Sequence, residues 1–194
     1  MESPPHFSAG MRAVLLLWLF CALAVGKLQM LQSLPAPALP ALVLTLAAGL
    51  LMLYRRVPSF GGWVNGLDLR SIVALHLTRF LGFYFFYLSN RGFLPPEFAI
   101  PAGIGDILTA FLAANILMWP LSASVQKRAI TLWNIIGLVE IILVVISAAR
   151  IAQSDFGSMD AMTRLPLSLL STFLVPMIIA SHIVIFIRLA RDRA

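Results

Sequence analysis

His76 and Arg79 lie three residues apart inside "ALHLTRFLGFYFFYLSN", residues 74–90, a stretch otherwise apolar enough to cross a membrane. An ionised side chain at the bilayer centre costs about 2.5 to 3.5 kcal/mol on insertion scales, so each one needs a partner, a cavity or a route to the surface. At about 100° per residue, His76, Arg79, Tyr87 and Asn90 fall on one narrow helical stripe. A polar stripe of that length is expected to face other helices, with the aromatic run "FYFFY" near the outer interface.

Glu140, in "AITLWNIIGLVEIILVVISAAR", is the expected partner of Arg79. Both helices enter from the same side, and counting residues from their inner starts puts the two groups at about 12 and about 15 Å of depth. Such a pair either fixes helix register or forms a charged substrate site or proton relay. Trp133, Gly137, Glu140 and Ser147 share one face of that helix, Gly137 allows a neighbouring backbone to come close, and Asn134 adds a second polar group.

In "LSLLSTFLVPMIIASHIVIFIRL", His182 lies about 8 Å from the inner end, level with His76. Two imidazoles at one depth suit three roles: haem ligation, proton exchange, or hydrogen bonding between helices. Pro176 is expected to kink this helix. In "FLPPEFAIPAGIGDILTAF" the prolines read as a stiff outer loop, which places Asp106 in the first turn of the next helix. There a carboxylate complements the helix dipole or meets a ligand or cation. Ala110 and Ala114 form a small-xxx-small pair suited to close packing, and His6, in the leader, is expected to have no role.

The catalytic inventory is short. No phosphate-binding glycine loop, H-E-x-x-H helix, histidine cluster or G-x-S-x-G elbow is present, so catalytic residues stay unassigned and an enzyme is not the expectation. Cys21 is the one cysteine, which rules out an intrachain disulfide and a cysteine-based zinc site, and no other metal site is expected.

The elements that must hold these residues follow from composition. The 194 residues are 60% hydrophobic and 11% charged, with a mean hydropathy of +0.94, well beyond soluble domains. About 20 apolar helical residues span a bilayer core. Six stretches qualify, near 12–30, 37–54, 71–90, 103–119, 130–149 and 166–188, separated by proline- and glycine-rich loops. The expected fold class is all-α, a polytopic membrane protein forming a bundle of six transmembrane helices in one domain, 1–194. The net charge of +6 does not indicate a nucleic-acid partner, because the basic residues are scattered between apolar runs. They sort instead by side. Arg12, Arg55, Arg56, Arg70, Lys127, Arg128, Arg188, Arg191 and Arg193 fall on one side, and Lys27, Arg91, Arg150 and Arg164 on the other. The positive-inside rule then puts both termini in the cytoplasm, N-in and C-in. "MRAVLLLWLFCALAVG" has features of a signal peptide, but Glu2 and two prolines in its leader argue for an uncleaved first helix.

"HLTR", "GFLPPEFAIPAGIGD", "WNIIGLVE" and "STFLVP", taken together over residues 71–182, resemble a group of small bacterial multispanning proteins of unassigned function. The resemblance implies a bacterial inner-membrane protein and carries no substrate, cofactor or activity. The expected role is lipid or small-molecule binding, transport or assembly through a polar patch of His76, Arg79, Asn134, Glu140 and His182. The rivals are a membrane redox or transfer enzyme binding haem, quinone or lipid, and a structural subunit of a membrane complex or homo-oligomer.

Overall fold

The computed structural model describes residues 9–35, 38–120, 122–155 and 157–191. His6 and Arg193, the one expected to be without a role and the other to mark the inner side, lie outside the described residues.

All regular structure among the described residues is helical, with no strand. Helix α1 (Ala9–Lys27) leads through a 3₁₀ turn, Met30–Ser33, to α2 (Ala38–Arg56) and the short α3 (Pro58–Gly66). Helix α4 (Leu69–Leu75) passes into a 3₁₀ segment, His76–Leu81, and α5 (Gly82–Asn90) continues the same rod. Helices α6 (Pro96–Met118) and α7 (Ala123–Ser154) follow, then a 3₁₀ stretch, Gly157–Thr163, and a π turn, Leu170–Leu174, that opens into α8 (Val175–Arg191).

Among the described residues, six helical runs are long and apolar enough to cross a membrane: Gly10–Lys27, Ala38–Arg56, Leu69–Asn90, Pro96–Met118, Ala123–Ser154 and Leu170–Arg191. By length and composition this is a multi-pass membrane protein. Leu17, Phe20, Phe111, Leu132 and Leu143 point outward, as side chains in contact with acyl chains do. The last run is the most enclosed of the six and α1 the least.

Several boundaries differ from expectation for identifiable reasons. Helix α6 starts at Pro96 instead of near 103, since a proline in the first turn gives up an N–H that has no helical partner there anyway. Pro101, further along, removes only one bond from a helix of 23 residues. Helix α7 has 32 residues, about 48 Å, so both ends extend beyond the apolar stretch that hydropathy marks. Residues 58–66, expected as loop, form α3, which begins at Pro58 and ends where Arg188 Nη1 donates to the Leu67 carbonyl at 2.7 Å. Arg70 donates to the Leu117 carbonyl at the end of α6 in the same way. Basic residues that sort by side along the chain therefore also satisfy helix C-termini.

The π turn has a clear chemical accompaniment. Pro176 has no N–H to offer Thr172, and the Thr172 carbonyl accepts instead from the Trp18 indole at 3.0 Å. With the Trp18 and Phe173 rings 4.6 Å apart, this bond ties α1 to the bundle.

Candidate functional site

Within the 3₁₀ segment the chain advances about 120° per residue, so side chains three apart eclipse one another. His76, Arg79 and Gly82 therefore stand in line on one face, and His76 and Arg79 are 0% and 2% exposed. The extra rotation, about 20° at each of six residues, turns the following α5 by about a third of a circle relative to a continuous α-helix. Phe85 and Leu88 face inward as a result, while Asn90 is exposed and Tyr87 is 50% exposed with Arg91 over its ring at 5.4 Å. This corrects the expected inward stripe: His76 and Arg79 belong to it, Tyr87 and Asn90 do not.

Gly82 decides what Arg79 meets. A Cβ on Gly82 would lie 2.6 Å from the Gly103 carbonyl and 3.0 Å from Asp106 Cβ, so α5 and α6 touch backbone to backbone. Arg79 Nε consequently donates to Asp106 Oδ1 at 2.6 Å, and Nη1 donates to the Gly137 carbonyl of α7 at 3.2 Å. Nη2 pairs with Glu140 Oε2. Glu140 rests on Gly105, where any Cβ would collide with Oε1. One guanidinium is thus clamped between two carboxylates from different helices, in a fork geometry that suits arginine and not lysine.

Asp106 is a correction. It was expected at the outer start of a helix, but α6 begins ten residues earlier and carries it about 15 Å along, to the level of Arg79. Its carboxylate is buried and serves the arginine, not the helix dipole. The signal was available in the sequence: "PPEF" is a good helix start, with proline at the first position and Glu97 in the first turn.

One turn below Arg79, His76 and His182 are both 0% exposed, with ring centroids 4.3 Å apart. Their partners fix their protonated nitrogens. Ser181 Oγ donates to the Ile178 carbonyl at 2.7 Å, so at 3.0 Å it accepts from His76 Nε2. Asn134 Nδ2 donates to the His182 carbonyl at 3.0 Å, so its Oδ1 accepts from His182 Nδ1 at 2.8 Å. Trp133 closes the group, with its ring edge-on to His76 at 4.7 Å and its indole N–H on the Thr109 carbonyl at 3.0 Å. Gly137 makes room for the His182 ring, since a Cβ there would lie 2.7 Å from Cε1. Ser181, next to His182 in the sequence, does not form a serine and base pair with it, since neighbours on a helix point about 100° apart, and it meets His76 instead; Thr109 was not singled out, because hydroxyls in apolar helices are too common to stand out. The ring contact does not fit a haem between the histidines, because axial imidazoles must lie on opposite faces of the macrocycle.

The charged group adjoins two spaces. Arg79 and Asp106 line a mostly apolar cavity of ≈ 90 Å³, together with Thr78, Ser171, Val43, Phe98, Ile141 and Leu174. Glu140 lines an open groove between α6 and α7, together with Ser147, Arg150 and Ser154 and the apolar Leu143, Val144, Ile146 and Ile151.

Residues 36–190 match the family model described as Domain of unknown function (DUF8737). The chain belongs to this family. The DUF8737 match covers α2 through nearly all of α8, and so every residue of both polar groups, and leaves out α1. Beyond the DUF8737 model, no curated protein and no solved structure matches the chain.

Proposed function

We propose that the chain is a bacterial inner-membrane protein, with six spans and both termini in the cytoplasm, that holds one end of a lipid-like or other small amphipathic molecule inside its bundle, in a transport or assembly role. The distribution of lysine and arginine between alternate loops supports the orientation. The observation that carries the binding role is the mostly apolar cavity whose wall includes the Arg79–Asp106 pair. Apolar walls with a few convergent polar groups are the usual make-up of a small-molecule site. An ion pair bordering a cavity inside an apolar bundle is also where ligand sites concentrate in membrane proteins.

Size and charge narrow the ligand. A closed apolar cavity of about 150 Å³ accepts benzene, so ≈ 90 Å³ admits a few carbons and not a whole lipid. Asp106 balances Arg79 at the cavity wall, which favours an uncharged polar head, a hydroxyl or carbonyl, over a phosphate or carboxylate.

Native mass spectrometry after gentle extraction tests the proposal. Wild-type protein is expected to carry an adduct of defined mass, and Ala148→Phe, which fills the cavity, is expected to lose it while keeping its melting temperature. Ala148→Leu serves if the larger ring prevents folding. A wild-type protein without adduct, or an adduct retained in the filled variant, overturns the reading.

A further inference from the structure

We propose that Glu140 is a proton-exchange site, loaded and unloaded through the groove between α6 and α7. The inference rests on the membrane-embedded reading above but not on any bound ligand. It starts from a charge count. Arg79 contacts Asp106 and Glu140 at once, so with all three groups ionised the cluster carries one excess negative charge. A single excess charge held among apolar helices is strongly disfavoured, and one proton on one carboxyl group removes it.

The geometry selects which carboxyl group exchanges that proton. Asp106 sits near the contact of α5 and α6, bonded to Arg79 Nε, and borders the mostly apolar cavity instead of the groove. Glu140 has 16% of its side chain exposed and lines the groove. Above it on α7, Ser147, Arg150 and Ser154 follow at intervals of seven, three and four residues, one helical face leading from the charged cluster to the end of the helix. Pro101 and Ala102 on α6 form the opposite wall, and Gly105 leaves the space that the Glu140 carboxyl group occupies.

The groups around Glu140 favour a proton over a metal cation. Arg79 faces it from the 3₁₀ segment, Asp106 lies across that guanidinium on α6, and Arg150 lines the groove from α7 itself. A metal ion entering would pass the positive Arg150, whereas a proton moves along hydroxyl groups and water. No group of three or more histidine, cysteine or acidic side chains able to hold a metal occurs among the described residues. On unloading, the proton leaves the Glu140 carboxyl group for groove water and Arg79 faces two carboxylates. On loading, the carbonyl oxygen of the neutral acid accepts the Nη2 hydrogen. Because the same guanidinium bonds Asp106 at the cavity wall, the proton state of Glu140 acts on the part of that wall where a ligand head would lie.

Dicyclohexylcarbodiimide tests this directly. The reagent enters apolar regions and adds across the O–H of a protonated carboxylic acid, and the product rearranges to a stable acylurea with no leaving group. The full chain in liposomes is treated between about pH 5 and about pH 9, and modified peptides are mapped by mass spectrometry. Glu140 is expected to be labelled and Asp106 not, with a rate that falls about tenfold per pH unit on the alkaline side and does not change when sodium replaces choline. Glu140→Gln is expected to lose the label. No label at Glu140, a rate independent of pH, labelling at Asp106 instead, or protection by sodium overturns the proposal. Labelling of protein that carries no adduct separates this proposal from the ligand reading.

Discussion

His76 and Arg79 stand one above the other on the same 3₁₀ turn, yet the histidine joins a neutral group sealed by Trp133, Asn134 and His182, and the arginine joins a charged group that touches both a cavity and a groove. In the neutral group the bonds to Ser181 and Asn134 fix which nitrogen of each ring carries hydrogen. It ties the 3₁₀ segment, α6, α7 and α8 together, and leaves Nδ1 of His76 and Nε2 of His182 without hydrogen-bond partners. The charged group pairs one cation with two anions. Its imbalance, and the cavity and groove it borders, are the grounds for the two roles proposed above. Burial alone does not distinguish a structural polar residue from a functional one; unequal charge next to open space is the ground for the proposals made above.

The largest expected effect comes from removing the cation. Arg79→Met leaves Asp106 and Glu140 buried without their shared cation and should cost about 3–5 kcal/mol, read as a collapse of membrane protein level. Adding Glu140→Gln should recover only part of it, because Asp106 remains unpaired, while the triple variant with Asp106→Asn should recover most. A double variant as abundant as the triple would show that Asp106 is not coupled to Arg79.

A smaller loss is expected in the neutral group. Asn134→Leu leaves His182 Nδ1–H and the His182 carbonyl without their partner, which should cost about 1–3 kcal/mol and lower the melting temperature of the detergent-solubilised protein. An unchanged melting temperature would remove the structural role assigned to this group. The smallest effect is at Tyr87: with its side chain turned outward by the 3₁₀ segment, Tyr87→Phe should stay within about 0.5 kcal/mol. A large loss there would mean that the continuous stripe, not the rotated one, describes this span.

The six apolar runs were legible from hydropathy, and the Arg79–Glu140 contact followed from residue counting because both residues lie on helices that start at the same end. The second carboxylate was not, since "PPEFAIP" reads as a loop unless prolines are allowed in a first turn, and that choice moves the helix start from near 103 to Pro96 and Asp106 from the first turn to the middle of the helix. The fates of Tyr87 and Asn90 were also hidden. Nothing in "HLTRFL" marks it as 3₁₀, and the segment ends at Gly82, whose backbone contact with Gly103 is a tertiary feature that the local sequence does not show. The histidine pair was legible as a depth match, but the hydrogen bonds of His76 Nε2 and His182 Nδ1 depend on Ser181 and Asn134, whose side chains are ordinary in apolar helices.

The central claim is that the charged group serves a ligand while the neutral group serves the fold, and native mass spectrometry of Asp106→Asn beside Asn134→Leu tests it most directly. Asp106→Asn keeps an oxygen for Arg79 Nε and removes only the charge at the cavity wall. The account predicts that this variant loses the bound adduct with little change in melting temperature, and that Asn134→Leu melts lower but keeps full adduct occupancy in its folded fraction. Adduct retained in Asp106→Asn, or lost to the same extent in both variants, would contradict it.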